Sequence, residues 1–172
     1  TDTLSNLNLG HCILLSTHTM KQSAGLLVYN ILDDIRVLLV HPGGPFFKNK
    51  DKGAWSIPKG GYNNEEAIEV AKRELWEETG NLIKATEFID LGSVRLKSGK
   101  IIKAWAAEAS FEHSFIRSNT FEMEWPPRSG KIVSFPEVDR AEWFTIEQAK
   151  EKIHPAQVAF IDKLELTLRG IF

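Results

Sequence analysis

The chain has 172 residues, 42% hydrophobic and 26% charged, enough for one domain that buries roughly two-thirds of its unfolded surface. Its 21 basic and 23 acidic side chains leave a net charge of −2 and are mixed along the sequence, which excludes a general attraction to duplex nucleic acid or an anionic membrane. No run reaches the roughly 18–20 apolar residues of a membrane span, and the single Cys12 has no partner for an intramolecular disulfide, so a reducing, cytoplasmic setting is expected.

Residues 1–19 have a short apolar centre but lack the basic flank and cleavage site of a signal peptide. Strand-like order begins only after Met20, so 1–19 are expected to be an extension and 20–172 a single domain. "SAGLLVYN" (23–30) and "IRVLLVHP" (35–42) read as a strand pair joined by a turn at "ILDD". "GGPFFKNKDKG" (43–53) reads as a surface loop, and "AWSIPKGGYNN" (54–64) as a short strand ending at Pro58 followed by a glycine turn.

From Asn63 to Thr79 the pattern becomes helical. Asn63 or Asn64 would cap the helix, Glu65 and Glu66 would sit in its first turn, Ile68, Ala71 and Leu75 would face the core, and Gly80 would end it. Further strands are expected at 83–96, 100–110, 119–125 and 140–146, then helices at 146–153 and 155–170, with Pro155 in a first helical position. Strands, one helix, more strands and terminal helices together predict an α/β fold, a mixed β-sheet with helices on both faces.

Within the first helix, "RELWEETG" (73–80) crowds Glu74, Glu77 and Glu78 onto one turn. At about 100° per residue the three carboxylates share an arc of roughly 100° that borders Ala71 and Leu75, where repulsion is poorly screened. A hard divalent cation, Mg²⁺ or Mn²⁺, would relieve that repulsion and keep coordination sites for phosphate oxygens. In isolation the same spacing more often marks a solvated acidic face, with Arg73 pairing to Glu77.

The neighbourhood shifts that balance. Glu65, Arg73, Glu74, Leu75, Glu77, Glu78 and Gly80 stand at the spacing of the Nudix box, G-x5-E-x7-R-E-U-x-E-E-x-G-U with U aliphatic, and the chain resembles the MutT-like Nudix hydrolases. Two positions depart from the box: its first glycine falls on Lys59, with Gly60-Gly61 closer to Glu65 than the pattern allows, and its last aliphatic residue is Asn81. An "AG" strand, a "VLLV" strand, "W-x-x-P-K-G" and a later "E-W-F" extend the resemblance over residues 22–170.

The resemblance implies an α/β/α sandwich and a Mg²⁺-dependent pyrophosphohydrolase that cleaves a nucleoside diphosphate linked to another moiety. The metal would rest on Glu74, Glu77 and Glu78 with the Gly61 carbonyl. Glu74 would serve as ligand or base, with Glu122, Glu124 and more weakly Glu108 as bases outside the box, and Arg73 would orient a neighbouring carboxylate. Lys59 and Arg128 are candidates to contact phosphate, with solvated surface charge as the alternative, and Trp55 is a candidate to stack on a base, although an aromatic beside a strand is more often core. "PKGG" with "EETG" looks like the dinucleoside polyphosphate branch, with diadenosine tetraphosphate as the expected substrate. The contrasting expectation is a catalytically silent nucleotide-binding sensor. Either way the partner is a small nucleotide or other diphosphate, and the protein a monomer or homodimer.

Overall fold

In the computed structural model, which describes residues 21–170, the Val- and Leu-rich stretches form the centre of a sheet. Strand β1 (Gln22–Ile31) and strand β2 (Ile35–Pro42) are buried along almost their whole length, because both of their faces are covered. Strand β3 (Lys59–Tyr62) follows, then helix α1 (Ala67–Thr79), β4 (Ile89–Arg95), β5 (Ile101–Glu108), β6 (Thr120–Glu124), β7 (Ile132–Pro136) and β8 (Val138–Thr145). The chain closes with α2 (Ile146–Lys152), a 3₁₀ turn (Pro155–Gln157) and α3 (Val158–Arg169). The expectations for residues 1–19, including Cys12, lie outside the described residues.

The main sheet runs β4-β5-β1-β2-β8, with β3 also paired to β1. It is mixed: β1 and β5 are parallel, and the other pairs are antiparallel. One edge of β1 is shared between two partners, Gln22–Gly25 facing β3 and Tyr29–Ile31 facing β2. That division carries the "KGGY" segment to one end of the sheet, against α1.

Alternation along β1 feeds two cores. Leu27 and Tyr29 join Trp55, Phe144, Phe160, Ile161 and Leu164 under α2 and α3, while Ala24, Leu26 and Val28 pack with Val70, Ala71 and Leu75 of α1. This is the expected α/β/α sandwich with a mixed sheet between helices. Among the described residues no helix is long and apolar enough to cross a membrane.

Several local expectations are corrected. The glycines at 60 and 61 lie inside β3, whereas the expected strand at 54–58 is reduced to isolated bridges at Trp55 and Ser56. Helix α1 starts at Ala67, later than the Asn caps suggest, with Glu66 as an N-cap that makes no side-chain bond. Of residues 83–96 only Ile89–Arg95 form a strand, and β7 was not expected. Strands β6 and β7 form a hairpin separate from the main sheet.

Candidate active site

Helix α1 packs its Val70, Ala71 and Leu75 side into the core, and Glu74 and Glu78 share that side. Both are 8% exposed, so the carboxylates that the sequence places on the core margin are in fact taken into it. Burial, reinforced by repulsion from Glu77, pushes the Glu74 carboxyl up to about 7. Burial raises Glu78 to about 8; the Lys59 ammonium opposes the rise and Glu74 adds to it. One Glu78 carboxylate oxygen, Oε2, is buried without a hydrogen-bond partner.

Gly60 explains how Glu74 fits. Its place in β3 turns its Cα toward α1, and a Cβ there would meet Glu74 Cδ and Oε1 at 2.0 Å. Any side chain at 60 would occupy the space of the carboxylate. Gly80 ends the helix as expected, in the left-handed conformation (φ 81°), with its N–H donating to the Trp76 carbonyl at 2.8 Å.

Arg73 lies on the exposed flank. It forms an ion pair with Glu65, and its Nε is 3.5 Å from Glu77 Oε1. The guanidinium therefore braces the loop before the helix and one carboxylate of the cluster together, and it holds the Glu65 carboxyl below its ordinary range. Glu65 acts from outside the helix, which begins two residues later.

A fourth carboxylate joins the cluster. Glu137, in the turn between β7 and β8, adds to the upward pressure on both Glu74 and Glu78, and burial and Glu77 raise its own carboxyl. Backbone bonds place it there: Asn119 N–H donates to the Glu77 carbonyl at 2.8 Å, and Glu137 N–H donates to the Asn119 carbonyl at 2.8 Å. The helix terminus thus holds the returning chain through one residue. "FPEVD" contains no motif spacing to Glu77, so nothing in the sequence marks Glu137 as part of the cluster.

Glu122 and Glu124 are exposed on β6, in the hairpin separate from the main sheet. Alternation along β6 turns Phe121 and Met123 inward and both glutamates outward, and Glu124 accepts a bond from Gly130 N–H at 2.9 Å. Glu108 stands at the far end of β5 beside Tyr29. Trp55 is a core residue, 1% exposed, stacked edge-on against Phe144 at 5.0 Å, with its indole N–H donating to Asp51. It offers no face to a nucleotide base. Lys59 is half-buried at the start of β3, where its charge acts on Glu74 and Glu78; Arg128 is exposed at the hairpin tip, with φ 62°.

Asn81, the residue out of step with the box, is buried and functions as a tie. Its Nδ2 donates to the His113 and Ser114 carbonyls at 3.0 and 3.1 Å, drawing the following loop across the end of α1. Ile116 N–H then donates to the Thr79 carbonyl, and Arg117 lies 4.3 Å from the Trp76 ring centroid.

This set suits a divalent cation. The carboxylates carry more negative charge than Lys59 and Arg73 offset, and Glu78 Oε2 lacks a partner. Among the described residues no group of three or more His, Cys, Asp or Glu side chains is arranged to hold a metal ion, so Glu74, Glu77 and Glu78 do not converge on one point as they stand.

The NUDIX domain model matches residues 20–164 of the chain. The chain belongs to the Nudix family. It is a Nudix hydrolase acting on pyrophosphate bonds, of a family that generally uses divalent metal ions. Among solved structures, a C. elegans Ap4A hydrolase in a binary complex is 20% identical with a TM-score of 0.60, over 87% of this chain and 99% of that one. The NUDIX domain of Shewanella oneidensis NrtR, complexed with ADP ribose, is 17% identical with a TM-score of 0.62, over 87% and 88%. A mutT/nudix family protein from Listeria innocua is 18% identical with a TM-score of 0.59, over 87% and 94%. A search of the curated proteins gives no match. At these identities the solved structures share the fold.

Proposed function

We propose that this Nudix hydrolase is a Mg²⁺-dependent pyrophosphohydrolase, able to use Mn²⁺, whose substrate is a dinucleoside polyphosphate such as diadenosine tetraphosphate. The observation that carries the metal-dependent reading is the buried carboxylate pair Glu74 and Glu78, with Glu77 beside it and an oxygen of Glu78 unpartnered. The fold similarity to an Ap4A hydrolase along 99% of that chain supports the substrate. The similarity to a domain complexed with ADP ribose favours, as a second reading, a nucleotide joined through two phosphates.

In this reading Glu74, Glu77 and Glu78, with the Gly61 carbonyl, would hold the cation. When bound, it would supply neutralisation of the pyrophosphate charge and acidify a water molecule. The chain's own residues do the rest. Glu74 would be the general base within the helix, and Glu137 is the alternative base from outside it. Arg73 keeps Glu77 oriented, and Lys59 contributes positive charge beside the phosphates. The silent-sensor reading is less well supported, because a module that only binds has no need of buried, mutually repelling carboxylates.

The test is turnover of a nucleotide panel with Mg²⁺ or Mn²⁺, read as orthophosphate after a coupled phosphatase. Glu78→Gln should lower the rate at least a hundredfold while the circular dichroism spectrum is kept. Undiminished turnover in that variant would remove the carboxylate cluster from the mechanism.

A further inference from the structure

Strand β2 ends in a histidine that no solvent reaches. His41 is fully buried, with its ring edge-on to Trp55 at 5.1 Å between centroids. Both ring nitrogens meet oxygen: Nδ1 lies 2.7 Å from Asp139 Oδ1, and Nε2 lies 2.6 Å from the Lys50 carbonyl. A carbonyl and an ionised carboxylate can only accept, so the ring makes both bonds when each nitrogen carries a hydrogen. One buried side chain thereby ties the loop after β2 to the start of β8.

An irregularity in β8 brings Asp139 to the ring. The β2–β8 register shifts between His41, which faces Arg140, and Pro42, which faces Val138, so Asp139 is an extra residue in β8. The packing agrees: Val138 and Ala141, three positions apart, belong to the same core beside α1, which the two-residue period of a regular strand would not allow. The bulge sets where β8 starts, and Glu137 is the residue before that start. A second bond holds it from the same side, because the Glu137 carbonyl accepts from Gly43 N–H at 2.9 Å. At Gly43 a Cβ would meet the Pro136 carbonyl oxygen at 2.0 Å, an approach that only glycine permits. Residues 41–43 thus grip 136–139 twice, through the His41 ring and through the Gly43 backbone.

We propose that His41 and Asp139 form a clamp that positions Glu137 against the carboxylates of α1. Glu137 and the helix glutamates repel one another, and that repulsion drives Glu137 toward water. The clamp opposes it by fixing the chain two residues further on, where the bulge would otherwise leave Asp139 without a place in the strand pairing. His41 and Asp139 act through Glu137, so both are positioning residues. The effect on turnover rests on the pyrophosphohydrolase reading; the fastening itself does not.

The experiment separates fastening from catalysis. Substitutions are made first at Asp139, whose side chain is 35% exposed: Asp139→Leu removes the acceptor, whereas Asp139→Asn keeps an oxygen for Nδ1–H. His41→Gln, which keeps a donor for the Lys50 carbonyl alone, should behave as Asp139→Leu. In EDTA, hydrogen exchange of the Gly43 and Glu137 amides should quicken about tenfold in Asp139→Leu and stay within about twofold in Asp139→Asn, with the Leu164 amide on α3 unchanged in both. With Mg²⁺ and the best substrate of the nucleotide panel, Asp139→Leu should lower kcat about tenfold at a KM within about twofold, and Asp139→Asn should restore kcat. In a Glu137→Gln background the Asp139→Leu change should cost less than about twofold, because nothing is left to position. An equal loss in both backgrounds, or exchange that does not quicken in Asp139→Leu and His41→Gln, would overturn the proposal and leave the hydrolase reading intact. The expected exchange pattern in a protein without turnover would reject the hydrolase reading and keep the clamp.

Discussion

The buried carboxylates make the metal-free protein less stable than it could be, and Glu78→Gln should expose that cost. Glu78 rises from 4.5 to about 8 on folding. Its folded-state pKa lies above the unfolded value, so the folded protein binds more protons between these limits and loses stability as pH rises through them. The penalty is absent below about pH 4.5 and complete above about pH 8. At about 1.36 kcal/mol per pKa unit, the full penalty is on the order of 4–5 kcal/mol. Part of it is shared with Glu74, and a glutamine amide must still be desolvated, so the variant should gain about 2–3 kcal/mol at pH 9. For a protein of this size that is a rise in Tm of about 5–10 °C. Thermal unfolding in EDTA at pH 5 and pH 9 reads the effect; at pH 5 the two proteins should agree to within about 0.5 kcal/mol. Mg²⁺ at pH 9 should stabilise the wild type more than the variant. No gain at pH 9, or the same gain at pH 5, would show that Glu78 is not a buried, charge-strained group.

Gly60→Ala should lower kcat about a hundredfold with an unchanged circular dichroism spectrum, because the added methyl takes the place of the Glu74 carboxylate, 2.0 Å away. Glu137→Gln should alter the pH-rate profile, moving its acidic limb downward as Glu74 and Glu78 lose a repelling neighbour, whereas Glu122→Gln and Glu124→Gln should leave the profile unmoved. Replacing Asn81 by the aliphatic residue of the box, Asn81→Leu, should cost about 2 kcal/mol in urea unfolding, since it leaves the His113 and Ser114 carbonyls without their donor.

What the sequence shows and what it hides divide along the range of the interactions. Periodicity places Ala71 and Leu75 in the core, and it places the three glutamates on one side of α1, because both follow from local helical geometry. Their depth does not follow: the sheet closes over Glu74 and Glu78 only because β1 divides its edge between β2 and β3. The "KGG" segment has the composition of a turn, yet pairing with Gln22–Gly25 extends it into a strand, a tertiary contact that overrides local preference. The placement of Trp55 and Glu122 is hidden for a related reason. An aromatic beside a proline, or a glutamate in an alternating strand, carries no sign of which sheet it will join or which face it will show.

The two departures from the Nudix box take on physical roles once the fold is in view. With the loop drawn close between Gly60 and Glu65, α1 begins at Ala67 without a side-chain cap. The Glu65–Arg73 pair then supplies the fastening, from outside the helix to a position within it, and the same guanidinium reaches Glu77. At the other end Asn81 exchanges apolar packing for bonds to two loop carbonyls. That loop continues to Asn119, which links the Glu77 carbonyl to the Glu137 amide. The box pair Glu65–Arg73 and the irregular Asn81 therefore fix the two helix ends to neighbouring chain, and both fixings converge on Glu77, Arg73 through its side chain and Asn119 through its backbone. A cluster of repelling carboxylates keeps its shape only if its surroundings are held rigid. In this chain Asn81, which breaks the family pattern, contributes to that rigidity, and the strain is greatest at Glu74 and Glu78, where a cation would relieve it.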